Sequence, residues 1–418
     1  MKISMRITAV ILTIVLSISG LIMTSFAAMP EIHSPSAILT DLNSDEILYQ
    51  KGAYKEVLPS VSTRFMAIYT AINADCEQNV AVRQEWLDSL TNDRPRMGIV
   101  AGEEFALKDL IRGVYLSDNY DIYLCLANHV GSSEKGFVNM MNTNAKKLGM
   151  VNTHYETISG YEEGKEYTTP YDVHLLIKAL SKNALFKEIT KDVSYTFKPN
   201  KKRKEPVEIR QKLNINDPQS QWYISGSKLA KEDSYKKLGH SIVFSVLRDN
   251  REILWVSFGS ESTDICATQA GEATEFAFSD YKRVIYTKEE IKKLYKGEKN
   301  LYIEPTADIY VTVPSDVEKA SLIATVKEED RIATFKVVGN GVSFEKEVSK
   351  VKASGIRFIW EGILKIIRWI LAGIILLIVT ICILYIPVSV ISARKAKRLK
   401  EKKEEKVRRL KEKMKENE

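Results

Sequence analysis

Leu58-Pro59-Ser60-Val61-Ser62-Thr63-Arg64-Phe65-Met66 is the stretch on which the reading of this 418-residue chain turns. Before it lie two short β-type runs, Ser36–Leu42 and Glu46–Gln50. The Asn43-Ser44-Asp45 segment between them has side chains that favour turns, so a hairpin delivers the chain to Pro59. After it Phe65, Met66, Ala67, Ile68, Ala71 and Ile72 continue as a helix that is apolar on most sides. A helix of that kind belongs in a core.

Working outward, Glu103–Leu110 and Ile111–Tyr115 lead to Leu116-Ser117-Asp118-Asn119-Tyr120-Asp121. Helices are expected at Ile122–Val130, at Lys135–Leu148 with Gly149 as its stop, and at Tyr171–Leu180. From Val193 the texture changes to strands: Ser194–Lys198, Val207–Lys212, Gln221–Lys228, His240–Leu247 and Glu252–Phe258. Helices in the middle with strands at both ends give an α+β domain, residues 30–285, whose sheet uses both ends of the segment. Short strands at Tyr302–Ile303, Ile309–Val313, Ser321–Val326 and Ile332–Val338 then suggest a small all-β domain over 286–350.

The two ends of the chain carry the signals of export and anchoring. Lys2 and Arg6, an apolar run from Ile7 to Met23 and Ser25-Phe26-Ala27 form the pattern of a secretory signal over residues 1–27, an uncleaved anchor being the other reading. Trp369–Ile391 has no charged residue and is long enough to cross the ~30 Å hydrocarbon layer. Residues 356–368 read as an amphipathic juxtamembrane helix. The denser basic cluster from Arg394 onward should stay in the cytoplasm, which leaves the bulk of the chain outside. The formal net charge is +7, and the tail 394–418 carries all of that excess. A generally basic, nucleic-acid-binding surface is therefore not implied. Cys76, Cys125, Cys266 and Cys382 lack metal or CxxC spacing, and buried free thiols are favoured over a bridge such as Cys76–Cys266. The five histidines have no ligand spacing, and no metal or organic cofactor is called for. Lys201-Lys202-Arg203-Lys204 reads as a solvated hairpin tip.

Several landmarks resemble, in order, the serine D-alanyl-D-alanine carboxypeptidases, the low-molecular-weight penicillin-binding proteins. They run from the hairpin Ser36–Tyr49 through Leu58–Met66 to Ser117-Asp118-Asn119. The most specific is Asn128-His129-Val130-Gly131-Ser132 with Phe137, Met141-Asn142, Ala145 and Leu148-Gly149-Met150-Val151-Asn152-Thr153-His154-Tyr155. Tyr167-Thr168-Thr169-Pro170-Tyr171-Asp172 follows. The resemblance covers roughly Ser34 to Ser260 and implies the serine β-lactamase/penicillin-binding-protein-like transpeptidase fold, followed by the small β domain and one transmembrane helix. It implies peptidoglycan stem peptides or a cell-wall assembly protein as partners, outside the cell membrane.

The family chemistry needs a serine that opens the helix, a lysine one turn later as its base, a Ser-x-Asn pair, and a Lys-Thr-Gly strand for the substrate carboxylate and oxyanion. Here the first two positions are Val61 and Arg64, and a guanidinium cannot serve as the base because it stays protonated. Ser117 and Asn119 are kept. The third cluster is matched with Gly226-Ser227-Lys228-Leu229-Ala230, where only Lys228 survives and Leu229 and Ala230 replace the threonine and glycine. The resulting expectation is a membrane-anchored pseudoenzyme. An active enzyme with a displaced nucleophile, Ser60 or Ser62, and an interaction scaffold stand as alternatives. If Arg64 fills the old pocket, it must find a carboxylate there or turn to solvent.

Overall fold

The computed structural model describes residues 29–415 apart from 75–77, 92–93, 161–164, 214, 236–237, 299 and 354–355. The expected signal segment 1–27 and Cys76 lie outside the described residues.

The hairpin forms as the turn chemistry dictates. Strand β1 (Ser36–Asp41) is wholly buried, and β2 (Ile47–Lys51) lies at the sheet edge. Helices follow: α1 (Val61–Ile72), α2 (Leu107–Leu116), α3 (Tyr120–Gly131), α4 (Glu134–Lys147) and α5 (Pro170–Leu180). The last two start where local chemistry says they should. The Ser133 hydroxyl accepts from the Gly136 amide, and Thr169 accepts from Asp172 with Pro170 in the first turn. The chain then returns to the sheet as β3 (Ser227–Tyr235), β4 (Gly239–Arg248) and β5 (Arg251–Ser260). The sheet runs β2-β1-β5-β4-β3 with every neighbour antiparallel, β1 pairing Ile38 with Val256 of β5. Both ends of the segment therefore meet at the centre of one sheet, as the α+β reading expects.

Each face of the sheet buries its own apolar layer. One contains Phe65, Met66, Ile68, Leu110, Leu124, Phe137, Leu176 and Val256, so α1 is buried on nearly every side. The other contains Trp255, Phe244 and Ala230 beneath a long helix, α6 (Thr263–Asp280). The sequence reading has no element here. The buried side of α6 is Cys266, Ala267, Ala270, Ala273 and Ala277, small residues with little apolar contrast but little bulk to hold the helix off the sheet. Cys125 and Cys266 are both free and buried.

One strand differs from expectation in a way that matters for the site. The expected strand Gln221–Lys228 is found instead at Ser227–Tyr235. The strand continues through the charged Lys231-Glu232-Asp233, of which Lys231 and Asp233 are buried. Asp118 and Asp233 offset part of the cost of burying Lys231.

The chain divides into two compact units. The first holds residues 1–287 together with 308–323 and 337–344, so that β6 (Tyr281–Tyr286) and β7 (Ile309–Pro314) pair within it. In this unit Arg251 reaches the buried Asp41 carboxylate at 2.9 Å, and the Thr312 hydroxyl donates to the same oxygen at 2.8 Å. The second holds 288–307, 324–336 and 345–418, and ends in the helix α7 (Ile356–Lys415). Within α7, Gly362–Ile381 is long and apolar enough to cross a membrane. That stretch takes in Lys365 and Arg368 and so begins before the uncharged run from Trp369.

Candidate functional site

The site is built around the start of α1. Ser60, the residue before the helix, is held at φ 43°, ψ −121°, a backbone conformation that non-glycine residues rarely adopt. Its amide donates to the Gly160 carbonyl at 3.1 Å. Gly160 itself has φ +79°, and a Cβ added there would lie 2.1 Å from the Thr63 hydroxyl. The loop bearing Gly160 thus closes directly onto the first turn of α1, and only glycine permits it. Val61 opens the helix completely buried, packed in the core beside Phe65.

One turn on, Arg64 is only 4 % exposed. Its Nη1 donates to the carbonyls of Val114 at 2.5 Å and Ser117 at 2.6 Å, at the end of α2. Its Nη2 donates to the Asp118 carboxylate, and its guanidinium lies 5.7 Å from the Tyr123 ring centre. The pocket does contain the carboxylate that a buried arginine requires. Asp118 also accepts from Lys212 Nζ at 2.8 Å. Burial alone would raise the Asp118 carboxyl, but Arg64, Lys231 and Lys212 outweigh it and hold the group well below the usual carboxylate range.

The β3 register decides what else reaches this place. Lys231 is buried, and its Nζ lies 3.5 Å from the Leu116 carbonyl. Burial and then the charge of Arg64 push its ammonium down to about 7, against the opposing pull of Asp118 and Asp233. Two residues on, the Asp233 carboxylate accepts from the backbone amide of Ser234 at 3.1 Å. Glu232 turns to the other side, toward His240 at 2.6 Å and Thr263 at 3.3 Å. A cavity of about 190 Å³ opens over this cluster, lined among others by Ser60, Arg94, Asp118, Ser159, Lys212 and Asp233.

The residues singled out from the sequence are distributed unevenly around it. Val61 and Arg64 stand at the head of α1 as expected. Ser117 ends α2 with its hydroxyl turned back to the Gly113 carbonyl at 3.1 Å, and Asn119 caps α3 without a side-chain bond. Between them it is Asp118 whose side chain faces the cavity. Lys228, Leu229 and Ala230 do not line this cleft, which corrects the sequence match for the third cluster. Leu229 and Ala230 are buried in the two apolar layers, and Lys228 borders a separate 250 Å³ cavity with Lys187 and Glu252. Asp233 lines the cleft instead, with Lys231 buried beneath it against the Leu116 carbonyl. The offset of three residues from Lys228 to Lys231 was hidden because Leu229 and Ala230 look more strand-like than the polar residues after them.

The sequence matches the D-alanyl-D-alanine carboxypeptidase family over residues 23–262. The chain belongs to that family. It is 23 % identical over 259 residues to the D-alanyl-D-alanine carboxypeptidase DacF of Bacillus subtilis, covering 59 % of this chain and 62 % of the relative. It is 25 % identical over 280 residues to DacC of Escherichia coli, covering 62 % and 66 % of the two chains. It therefore matches a little under two thirds of the length of these relatives. Among solved structures, penicillin-binding protein 5 of Haemophilus influenzae aligns with a TM-score of 0.66 at 17 % identity, covering 78 % of this chain and 99 % of the other. Penicillin-binding protein 6B of Escherichia coli aligns at 0.61 and 18 %, covering 78 % and 98 %. The fold is that of the penicillin-binding DD-peptidases. Within this family's frame, the residues missed by sequence reasoning are Lys231, Asp233, Lys212 and Arg94. A signal for Lys231 was present: it stands eight residues before Gly239, the first residue of the strand whose apolar pattern was legible.

Proposed function

We propose that this chain is a non-catalytic, membrane-anchored member of the D-alanyl-D-alanine carboxypeptidase family that works at the peptidoglycan without turning it over. The observation that carries the reading is the Arg64–Asp118 pair. The position for a proton acceptor holds a guanidinium whose terminal nitrogens donate to two carbonyls and a carboxylate, one turn from a valine that has no nucleophile. Members of such a catalytic unit act together, so loss of nucleophile and base removes nearly all rate enhancement. The Asp233 carboxylate at the Ser234 amide adds to this, because it claims a backbone donor on the cleft edge. In this reading residues 1–27 direct export, 30–285 form the carboxypeptidase-like domain, and 286–350 a β-rich spacer. The chain crosses the membrane once and leaves 394–418 in the cytoplasm, where the basic residues are retained. Its partners are peptidoglycan stem peptides or a wall-assembly protein, as the names of its relatives suggest.

A second reading rests on one observation: Ser60 borders the cavity, and its hydroxyl is buried with no hydrogen-bond partner among the described residues. It would be a displaced nucleophile in an active enzyme. Intact mass after incubation with excess penicillin separates the two. No adduct, beside an active family member labelled in parallel, supports the non-catalytic reading; an acyl adduct mapped to Ser60 overturns it.

A further inference from the structure

The first residues of β3 break the regular ladder. Ser227 pairs with Val246 and Leu229 with Ser245, so Lys228 is an extra residue between them. Successive side chains of a regular strand point to opposite faces, and a bulge can turn two neighbours to the same one. Lys228 and Leu229 accordingly both line the cavity of about 250 Å³, which shares no lining residue with the cleft at the head of α1. Glu252 of β5 lies opposite Leu247 in the ladder, and it lines the cavity as Ser245 does. Phe186 and Lys187 enter from the short helix Ala184–Ile189, and Lys191 from just beyond it. The lining divides by chemistry. Phe186 and Leu229 are buried and form an apolar wall. The Glu252 carboxylate accepts from the Ser245 hydroxyl at 3.0 Å, and burial raises its pKa although Ser245, Lys187 and Lys228 oppose the rise. Lys187, Lys191 and Lys228 are exposed, and none of them forms an ion pair among the described residues. Lys187 and Lys191 suit the C-terminal end of their helix, but that explains neither Lys228 nor the bulge that aims it.

From this arrangement we infer that the cavity is a binding site for a dianionic phosphate group, gathered by Lys187, Lys191 and Lys228. Three ammonium groups against one carboxylate leave an excess of two positive charges around it. A lysine ammonium is a compact charge with three donors on a flexible stem, whereas the planar fork of arginine matches a flat carboxylate. A set of lysines without arginine therefore suits the tetrahedral oxygens of phosphate. The apolar wall leaves room for a small organic body beside the phosphate, so a phosphomonoester and free phosphate share this chemistry. The site is separate from the cleft, and its occupancy does not depend on whether the cleft is catalytic.

The test is saturation-transfer NMR on the full-length protein in detergent at low salt and pH 8, where a phosphomonoester is a dianion. Phenyl phosphate is the probe, and phenyl sulfate presents the same body with a single charge. Phenyl phosphate should bind in the millimolar range or tighter, and phenyl sulfate about 5-fold more weakly. Lys187→Gln and Lys228→Gln should each weaken phenyl phosphate about 5-fold, the equivalent of about 1 kcal/mol. Inorganic phosphate is then added as competitor. Displacement at equal concentration identifies free phosphate as the source, and displacement only at large excess identifies a phosphomonoester. No transfer from phenyl phosphate, equal binding of phenyl sulfate, or affinity unchanged in both variants overturns the inference. Both lysines are exposed, so the variants should fold, and melting curves that match wild type confirm it. A penicillin adduct on Ser60 would remove the non-catalytic reading and leave this result untouched, so the two failures are distinguishable.

Discussion

Replacing Asp118 by Asn tests whether the Arg64–Asp118 ion pair is a structural element of the pocket at the head of α1. The shape is kept, the charge is lost, and Arg64 is left 4 % exposed with no carboxylate from Asp118. Removing one partner of a fully buried pair costs about 3–5 kcal/mol. Two features reduce that here: the Asp118 side chain is 28 % exposed, and the Val114 and Ser117 carbonyls still hold the guanidinium. The expected loss is about 2–3 kcal/mol, which for a domain of this size is a drop in Tm of about 5 °C. The pH dependence has a definite sign. The folded carboxyl is depressed, so its contribution is full above the unfolded value of about 4 and is lost as pH falls toward the folded one. The wild-type minus variant difference in Tm, measured by circular dichroism in detergent, should therefore be largest at neutral pH and shrink in acid. The double variant Arg64→Met, Asp118→Leu should recover most of the loss, because an apolar pair avoids the burial of charge. A single variant that melts within about 1 °C of wild type at pH 7 would refute the reasoning.

Three further outcomes follow from the geometry. Val61→Ser with Arg64→Lys restores the first cluster in name but should show no penicillin adduct by intact mass, because Asp233 still occupies the Ser234 amide; adding Asp233→Gly should allow acylation, and acylation of the double variant at the same rate would show that Asp233 is no obstacle. Gly160→Ala should cost about 3 kcal/mol, from its positive φ and the 2.1 Å approach to Thr63, and should open the 157–160 loop to protease, whereas an unchanged cleavage pattern would contradict the contact. His174 is buried against the Thr40 hydroxyl at 2.9 Å, and burial pushes its pKa down to about 4 despite the nearby Asp45. Its folded value lies below its unfolded value of about 6.5, so stability falls as pH drops from there toward 4; His174→Gln should melt with a weaker acid dependence than wild type over that window.

How much of this was legible depended on whether polarity and burial agreed. The head of α1 could be read because Pro59 and the apolar run from Phe65 specify a buried helix whatever stands at 61 and 64. The α4 and α5 boundaries could be read because Ser133 and Thr169 are ordinary caps. The third cluster could not, because β3 buries Lys231 and Asp233, and a charged residue in a strand looks like loop until its partners are known. Those partners lie far off in sequence: Asp118 for Lys231, Arg203 for Glu103. The Glu103 pair also changes the meaning of the basic tip at 201–204. Arg203 is not solvated but bonds the buried Glu103 carboxylate at 2.9 Å and the Gly98 carbonyl at 3.0 Å. Long-range charge pairing is the information that a single sequence does not display.

The strain at Ser60 bears on what the proposed non-catalytic reading implies for stability. A non-glycine residue in that conformation costs about 1–3 kcal/mol, and it persists although Val61 beside it can attack nothing. The surrounding frame, the Gly160 carbonyl and the first turn of α1, still fixes it. In the proposed reading, Val61 and Arg64 stand where an enzyme would hold side chains for reactivity rather than stability. A buried valine contributes about 1–2 kcal/mol of apolar transfer where a serine would bury a hydroxyl. An arginine with three acceptors replaces an amine that a base must keep partly neutral. Both substitutions therefore move along the known opposition between active-site chemistry and stability. It follows that Val61→Ser with Arg64→Lys should melt lower than wild type by about 5 °C, the equivalent of about 2–3 kcal/mol. A double variant as stable as wild type would mean that the pocket never gained stability from losing its chemistry, and that Val61 and Arg64 are neutral residues in a cleft shaped by something else.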